Sequence, residues 1–240
     1  MDKAVKNALI KRYSSEGGIV ELEDLMVVEQ GIEIWLNGEL YRKVYCSPIY
    51  VDELVIGSLA FDHIINSIED IKSFNMEADR VYVSLIKEKQ SDVHKACKPV
   101  AGIRVHAHDI TRLMKLHLDS SYIHKQTGGV HIMSLSQGQN LLLSREDVGR
   151  HNAVDKLYGY CLKKKLDCSS MIFLSSGRIS NEIIEKIIYM GIKLVVARAT
   201  VTSLAQRKAL QAGITLIGFA RGERFNIYSH PEAIITGNCR

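Results

Sequence analysis

The chain has 240 residues, 46% of them hydrophobic and 24% charged, which allows a sizeable core and argues against a disordered chain. Its formal net charge of +4 is mild and predicts no nucleic-acid partner, since no concentrated basic face accompanies it. Lys3, Lys6, Lys11 and Arg12 break up the first apolar residues, no run reaches the ~20 apolar residues of a bilayer span, and five scattered cysteines are odd in number; the expectation is a cytoplasmic protein with no membrane partner and no disulfide scaffold.

Residues 1–24 read as an N-terminal arm. A β-rich α+β domain is expected over 25–109 and a larger α/β domain over 110–240. Ile32, Ile34 and Leu36 alternate with Glu33 and Trp35, as on a half-buried strand. Asn37-Gly38 then predicts a hairpin turn, because both residues tolerate positive φ, and Leu40 to Tyr45 is the return strand. Val51, Leu54, Val55 and Leu59 recur at helical spacing, with Ser47 before Pro48 as a start signal. Val81, Val83 and Leu85 restore strand alternation, and a polar stretch from Asp92 to Gly102 reads as a loop. Asp109 is placed as the cap of a helix carrying Ile110, Leu113 and Met114.

In the second half, short apolar runs at Leu141 to Leu143, Met171 to Leu174, Leu194 to Val196 and Leu216 to Ile217 alternate with helical segments. Those segments are Ala153 to Lys164, Asn181 to Met190 and Leu204 to Ala212. The alternation predicts right-handed β-α-β crossovers and a largely parallel sheet, with Gly191 and Gly213 at helix C-termini.

In such sheets ligands sit beyond the carboxyl ends of the strands. The three strand ends read Ser175-Ser176-Gly177-Arg178, Ala197-Arg198-Ala199-Thr200 followed by Thr202 and Ser203, and Gly218-Phe219-Ala220-Arg221-Gly222-Glu223-Arg224. Each pairs an arginine with glycine or small hydroxyl residues, and two of them lead into a helix. Free N–H groups at helix starts and the bidentate grip of arginine would together cradle a diphosphate. Ser203 with Gln206 also fits a capping box that needs no ligand. The densest polar stretch, Arg145 to Lys156, offers a turn at Gly149 and a cap at Asn152, with Asp155 three residues on. Arg145, Glu146, Asp147, Arg150 and His151 remain as either a site or a tight salt-bridge lattice.

Taken in order, these stretches resemble the FdhD/NarQ family of formate dehydrogenase accessory sulfurtransferases. The resemblance rests on Arg145 to Leu157, Ser176-Gly177-Arg178, Arg198 to Ala205 and Gly218 to Tyr228. Thr127 to His131, Cys46-Ser47-Pro48 and Asp52 to Gly57 extend it over most of the chain after residue 30. It implies a cytidine deaminase-like three-layer fold for the C-terminal domain. It also implies sulfur transfer from a cysteine desulfurase to a molybdenum (or tungsten) bis(molybdopterin guanine dinucleotide) cofactor required by formate dehydrogenase. A homodimer is implied, with guanine nucleotide as the recognised cofactor fragment and no intrinsic metal. The family's cofactor contact falls on Phe219, Ala220, Arg221, Gly222, Glu223 and Arg224. Ser176, Gly177, Arg178, Arg198, Thr202, Ser203, Arg145, Arg150 and His151 complete the expected binding set.

The family's sulfur-carrying C-x-x-C pair is reduced here. The matching stretch, His94-Lys95-Ala96-Cys97-Lys98-Pro99-Val100-Ala101-Gly102, keeps one cysteine, with valine in the second position. Lys95 and Lys98 would raise the thiolate fraction of Cys97, the expected persulfide carrier, and the first transfer step needs only one thiol. Without the second thiol, a chaperone that delivers the cofactor with no covalent step is the alternative. Six of the nine histidines fall between His94 and His131, but no compact spacing joins His106 or His108 to Cys97, so no metal site is expected. An H-x-E followed by P-C-x-x-C is absent, so zinc deaminase chemistry is not expected.

Overall fold

The structure is a computed structural model that describes residues 3–86 and 103–237. The chain opens with a two-stranded antiparallel hairpin, β1 (Val5–Ser14) and β2 (Gly18–Val27), where the sequence suggested only an arm. Next come β3 (Gln30–Leu36), β4 (Glu39–Cys46), helix α1 (Val51–Phe61), β5 (Ile71–Glu77) and β6 (Arg80–Leu85). These strands form a four-stranded sheet in the order β4-β3-β6-β5. Asn37 (φ 51°) and Gly38 (φ 92°) make the expected turn between β3 and β4. Ile32, Ile34, Val81 and Val83 on one face of this sheet pack against Leu54, Val55 and Leu59 of α1.

After residue 102 the described chain resumes with β7 (Val105–His106), α2 (Ala107–Asp119), α3 (Ile123–Thr127), β8 (His131–Gln137), β9 (Asn140–Asp147) and α4 (Arg150–Lys163). It continues through β10 (Ile172–Ser175), α5 (Asn181–Tyr189), β11 (Leu194–Ala197), α6 (Ser203–Ala212), β12 (Thr215–Arg221), β13 (Arg224–Ser229) and β14 (Ile234–Ile235). Six of these strands form one sheet in the order β13-β12-β11-β10-β8-β9. Phe173, Val195 and Leu216 face α4, α5 and α6, while Ile172, Leu174, Leu194, Val196 and Ile217 face α2. Helices therefore cover both sides of the sheet.

The sheet is mixed, which corrects the expectation of a largely parallel one. Only β10–β11 and β11–β12, which helices connect, are parallel. Tight turns at Gly138 (φ 57°) and Gly222 (φ 58°) fold β8 on β9 and β12 on β13 as antiparallel hairpins at the two edges.

Helix ends also depart from the sequence reading. The residue capping α1 is Tyr50, in the left-handed conformation at φ 54°, and not Ser47. Helix α2 starts two residues before Asp109, which lies in its first turn. Gly149, and not Asn152, caps α4. The Asn152 amide instead donates to Tyr45 O and Asp147 Oδ1. Thr202 caps α6 by accepting from Ala205 N, so the cap falls one residue before Ser203. Gly213 caps α6 at φ 65°, as expected, whereas Met190 caps α5 and Gly191, at φ 77°, lies one residue beyond it.

The two sheets meet where α1 crosses α4, backbone against backbone. A Cβ on Gly57 would lie 1.9 Å from Asp155 O, and one on Gly159 would lie 1.9 Å from Glu53 O. Glycine at both places is a steric requirement of this crossing. Charged side chains seal the seam. Arg145 grips Glu53 bidentately at 2.5 and 2.8 Å, its guanidinium lying over the rings of Tyr50 and Tyr160. Fully buried Lys156 pairs with Asp147 at 2.5 Å and donates to Ser47 O at 3.0 Å. Ser47 N in turn donates to Asp147 Oδ2, a contact across a hundred residues of sequence. These bonds leave no buried charge at the seam without a partner, as burial of ions demands.

Candidate functional site

Three loops form the carboxyl edge of β10, β11 and β12, and backbone bonds lace them together. Arg198 N donates to Ser175 O, Ile179 N to Thr200 O and Thr202 N to Ile179 O, which joins the first two loops. Phe219 N donates to Ala199 O, and the Arg221 guanidinium donates Nε to Arg198 O at 3.2 Å, which ties in the third. Arg178, Arg198, Arg221 and Arg224 are all exposed; the first three sit on neighbouring loops of this one edge, and Arg224 pairs with Arg221 across the β12–β13 turn. None of the four lines the cavity bounded by Arg42, Asp62 and His151 or the one bounded by His106, Arg112 and Gln139.

The third loop contains a local irregularity. The β12–β13 register shifts between Gly218 and Arg221, and Phe219 is held at φ 51°. A bulge re-aims the residue it contains, and the left-handed conformation is costly for an aromatic residue, so the surroundings must enforce it. Gly218 allows it by packing tightly; a Cβ there would meet Tyr228 Cε2 at 2.9 Å and Ala199 O at 3.2 Å. The result is an exposed phenyl ring with the Arg221 guanidinium 5.6 Å from its centroid. Gly222 and Glu223 form the exposed turn that follows, while Ala220 points into the core. Thr202 is engaged as a cap and Ser203 is exposed at the start of α6.

A second group of polar side chains lies where the N-termini of α4 and α5 converge. His151 Nε2 meets Glu182 Oε2 at 3.0 Å, joining the first turns of the two helices. Ser176 Oγ accepts from Ile132 N, which fixes the loop after β10 against the start of β8. Gly177 lets the His131 ring lie close, since a Cβ there would stand 3.1 Å from its Nδ1. Burial, then the positive charge of Arg150, His124 and Arg178, holds the His131 pKa below the ordinary imidazole value. Burial, then Arg150 and Lys186, does the same for His151 against the pull of Glu182. Both rings therefore favour the neutral form. Arg150 Nε, Ser180 Oγ and Asn181 Oδ1 are buried without hydrogen-bond partners among the described residues, a condition that costs about 1–3 kcal/mol for each such group. A cavity of about 350 Å³ opens beside this junction, with His151, Asn152 and Glu182 on one wall and Arg42 and Asp62 on another.

The candidate residues thus separate into three groups. Ser176, Gly177, Arg178, Arg198, Phe219, Arg221, Gly222, Glu223 and Arg224 share the laced edge. Arg150 and His151 belong to the adjoining junction, which also contains His131, Ser180 and Asn181. Sequence reasoning did not single out those last three, although His131 ends the Thr127 to His131 run. Arg145 stands apart, with its guanidinium engaged by Glu53 inside the seam; burial opposes its charge, but the bonds to Glu53 outweigh that and raise its pKa.

Cys97 lies outside the described residues, as do His94, Lys95, Lys98 and Cys239. The three described cysteines are all buried. Burial, then the nearby Asp147 carboxylate, pushes the Cys46 thiol up to about 12. Contact with Cys161, then burial, raises that of Cys168. Such thiols are poor nucleophiles. Among the described residues no group of three or more His, Cys, Asp or Glu is placed to hold a metal ion, and no helix is long and apolar enough to cross a membrane.

Comparison with known proteins places this geometry in context. The profile of the FdhD/NarQ family matches residues 27–98 and 87–235. The sulfur carrier protein FdhD of Geobacillus kaustophilus is 36% identical over 260 aligned residues, covering 98% of each chain. The sulfur carrier protein FdhD of Bacillus subtilis is 35% identical, covering 97% of this chain and 98% of its own. A crystal structure described as a candidate formate dehydrogenase accessory protein from Desulfotalea psychrophila superposes with a TM-score of 0.84 at 26% identity, covering 97% of this chain and all of that one.

Proposed function

This chain belongs to the FdhD/NarQ family, and from that premise we propose that it is a sulfur carrier for the maturation of formate dehydrogenase. Cys97 takes sulfane sulfur from a cysteine desulfurase. Its thiolate attacks the outer sulfur of the donor persulfide; a new S–S bond forms at Cys97, the donor's S–S bond breaks, and the donor cysteine leaves as thiolate. Lys95 and Lys98 favour the thiolate that begins the step. The acceptor is a molybdenum bis(molybdopterin guanine dinucleotide) cofactor, bound as cargo. The buried state of Cys46, Cys161 and Cys168 supports Cys97 as carrier, because none of those three thiols is accessible.

The observation that carries the cofactor half of this reading is the bulge at Phe219. An aromatic ring forced outward beside Arg221, on an edge shared with Arg178 and Arg198, suits a purine nucleotide. The ring stacks on guanine and the guanidiniums take the phosphate oxygens. Arg150, His131 and the unpaired Ser180 and Asn181 at the α4–α5 junction extend the same surface toward a second anionic group of the cofactor. Arg145 takes no part, since its donors hold the seam.

A six-stranded mixed sheet with helices on both faces agrees with a cytidine deaminase-like C-terminal domain over 110–240, preceded by a β-rich domain over 25–109. The missing second cysteine favours one other reading, a chaperone that binds and delivers the cofactor with no covalent sulfur step. Incubation with a cysteine desulfurase and free cysteine, followed by intact-mass measurement, separates the two. The carrier gains the mass of one sulfur atom, and Cys97→Ser abolishes the gain. A gain that survives Cys97→Ser rejects Cys97; no gain on wild type, with GDP still bound, establishes the chaperone.

A further inference from the structure

The cavity of about 350 Å³ beside the α4–α5 junction is bordered by the four-stranded sheet and α1 on one side and by α4 and α5 on the other. Small-molecule sites favour such boundaries between structural units, and about ten waters would fill this one. Its walls are charged. Arg42 and Asp62, 2.7 Å apart, stand on the sheet side. Asp155 of α4 and Lys186 of α5 form an ion pair on the helix side. Ile34, Val44 and Leu54 supply an apolar patch.

The Asp155–Lys186 pair differs from the pairs of the α1–α4 seam. Lys156 in the seam has an acceptor for each of its three donors, in Asp147, Ser47 O and Glu146 O. Lys186 donates to Asp155 Oδ1 and lies over the Phe61 ring, 4.8 Å from its centroid, and no other described residue accepts from it. No described residue donates to Asp155 Oδ2, although Asp155 is only 5% exposed. Burial pushes its carboxyl up to about 6 against the pull of Lys186, so the fold holds this charge at a cost and with its bonding incomplete.

Unused donors on a cation beside an unused acceptor on an anion define the guest. A phosphate would suit Lys186 and Arg42 but would be repelled by Asp62, Asp155 and Glu182, which all line the cavity. A lone amine would meet the reverse conflict, and an apolar molecule would leave both capacities unmet. A molecule whose two opposite charges are neighbours satisfies both. An α-amino acid has that form, since its ammonium and carboxylate sit on one carbon.

We propose that this cavity binds a free α-amino acid with a small apolar side chain. The carboxylate accepts from Lys186, the ammonium donates to Asp155 Oδ2, and the side chain lies against Ile34, Val44 and Leu54. Calorimetric titration of the full chain tests this with L-valine, isovalerate, isobutylamine and β-alanine. L-Valine is expected to bind with a Kd of about 1 mM or tighter. Isovalerate and isobutylamine lack one charge each, and β-alanine separates the two; each should bind at least about tenfold more weakly. Asp155→Asn with Lys186→Met should weaken L-valine at least about tenfold and leave GDP binding at wild-type strength. If that double variant fails to fold, Val44→Phe narrows the cavity without touching the ion pair and should weaken L-valine likewise. No L-valine binding by wild type at about 10 mM, or isovalerate or isobutylamine binding as tightly as L-valine, overturns the proposal. So does undiminished L-valine binding by either variant when folded.

Discussion

At the α1–α4 seam charges are buried and matched. Arg145 has Glu53, Lys156 has Asp147 and Ser47, and two glycines let the helix backbones touch. At the carboxyl edge of β10, β11 and β12 the arginines are exposed on loops held together by backbone bonds, and among the described residues none of them forms an ion pair; Glu223, in the turn after Arg221, is exposed as well. Both regions are rich in charged residues in the sequence. Only the second leaves its guanidiniums facing solvent at a place where a ligand can reach them. The difference teaches that charge density along a sequence does not mark a site; what marks one is charge whose fold-given partners are missing.

If that contrast is sound, damage at the seam is structural and damage at the edge is functional. A large loss of stability is expected for Gly159→Ala. Its methyl group would overlap Glu53 O, and the helices must separate at a cost of about 3 kcal/mol or more. Urea unfolding measures this, and a loss below about 1 kcal/mol would show that the crossing is loose. Next, Lys156→Met leaves Asp147 as a buried charge without its counter-ion and should cost about 3–5 kcal/mol, most of it recovered when Asp147→Leu is added. An unrecovered double variant would mean that the ion pair is worth more than its apolar replacement.

A smaller effect concerns pH. His117 is fully buried and accepts or donates a 2.6 Å bond with Ser134 Oγ; burial, then the charge of His124, pushes its pKa down from 6.5 to about 3. A base whose folded value lies below its unfolded value favours folding fully above 6.5, and that contribution is lost as pH falls from 6.5 toward 3. The slope is about 1.4 kcal/mol per pH unit inside that window. Replacement by an uncharged residue, His117→Asn, should flatten the unfolding free energy across the window relative to wild type. An unchanged slope would place the titration elsewhere.

Much of the local structure was legible in the sequence, because Asn37-Gly38, the helical periodicities after 150 and the apolar runs of β10, β11 and β12 depend on neighbours in the chain. The arginine edge was legible for the same reason, since each arginine follows its own strand. What could not be read depends on residues far apart in sequence. Asp147 meets Ser47 across a hundred positions, Gly57 and Gly159 face each other's helices, and His131 lies against Gly177. The mixed sheet was misjudged because β8, β9 and β13 are set by hairpin turns that flank the helical crossovers. Residues 145–156 allowed both a site and a salt-bridge lattice. Burial divides them, with Arg145, Asp147 and Lys156 in the seam and Arg150 and His151 at the junction.

The contrast between seam and edge is tested most directly by calorimetric titration of GDP into wild type and into the triple variant Arg178→Ala, Arg198→Ala, Arg221→Ala, at low and high salt. Wild-type binding should weaken as salt screens the guanidiniums. The triple variant should bind about a hundredfold more weakly, with little left for salt to screen, while its melting temperature stays within a few degrees of wild type. Undiminished GDP binding by a folded triple variant, or a collapse of its stability, would contradict the assignment of this edge to the ligand.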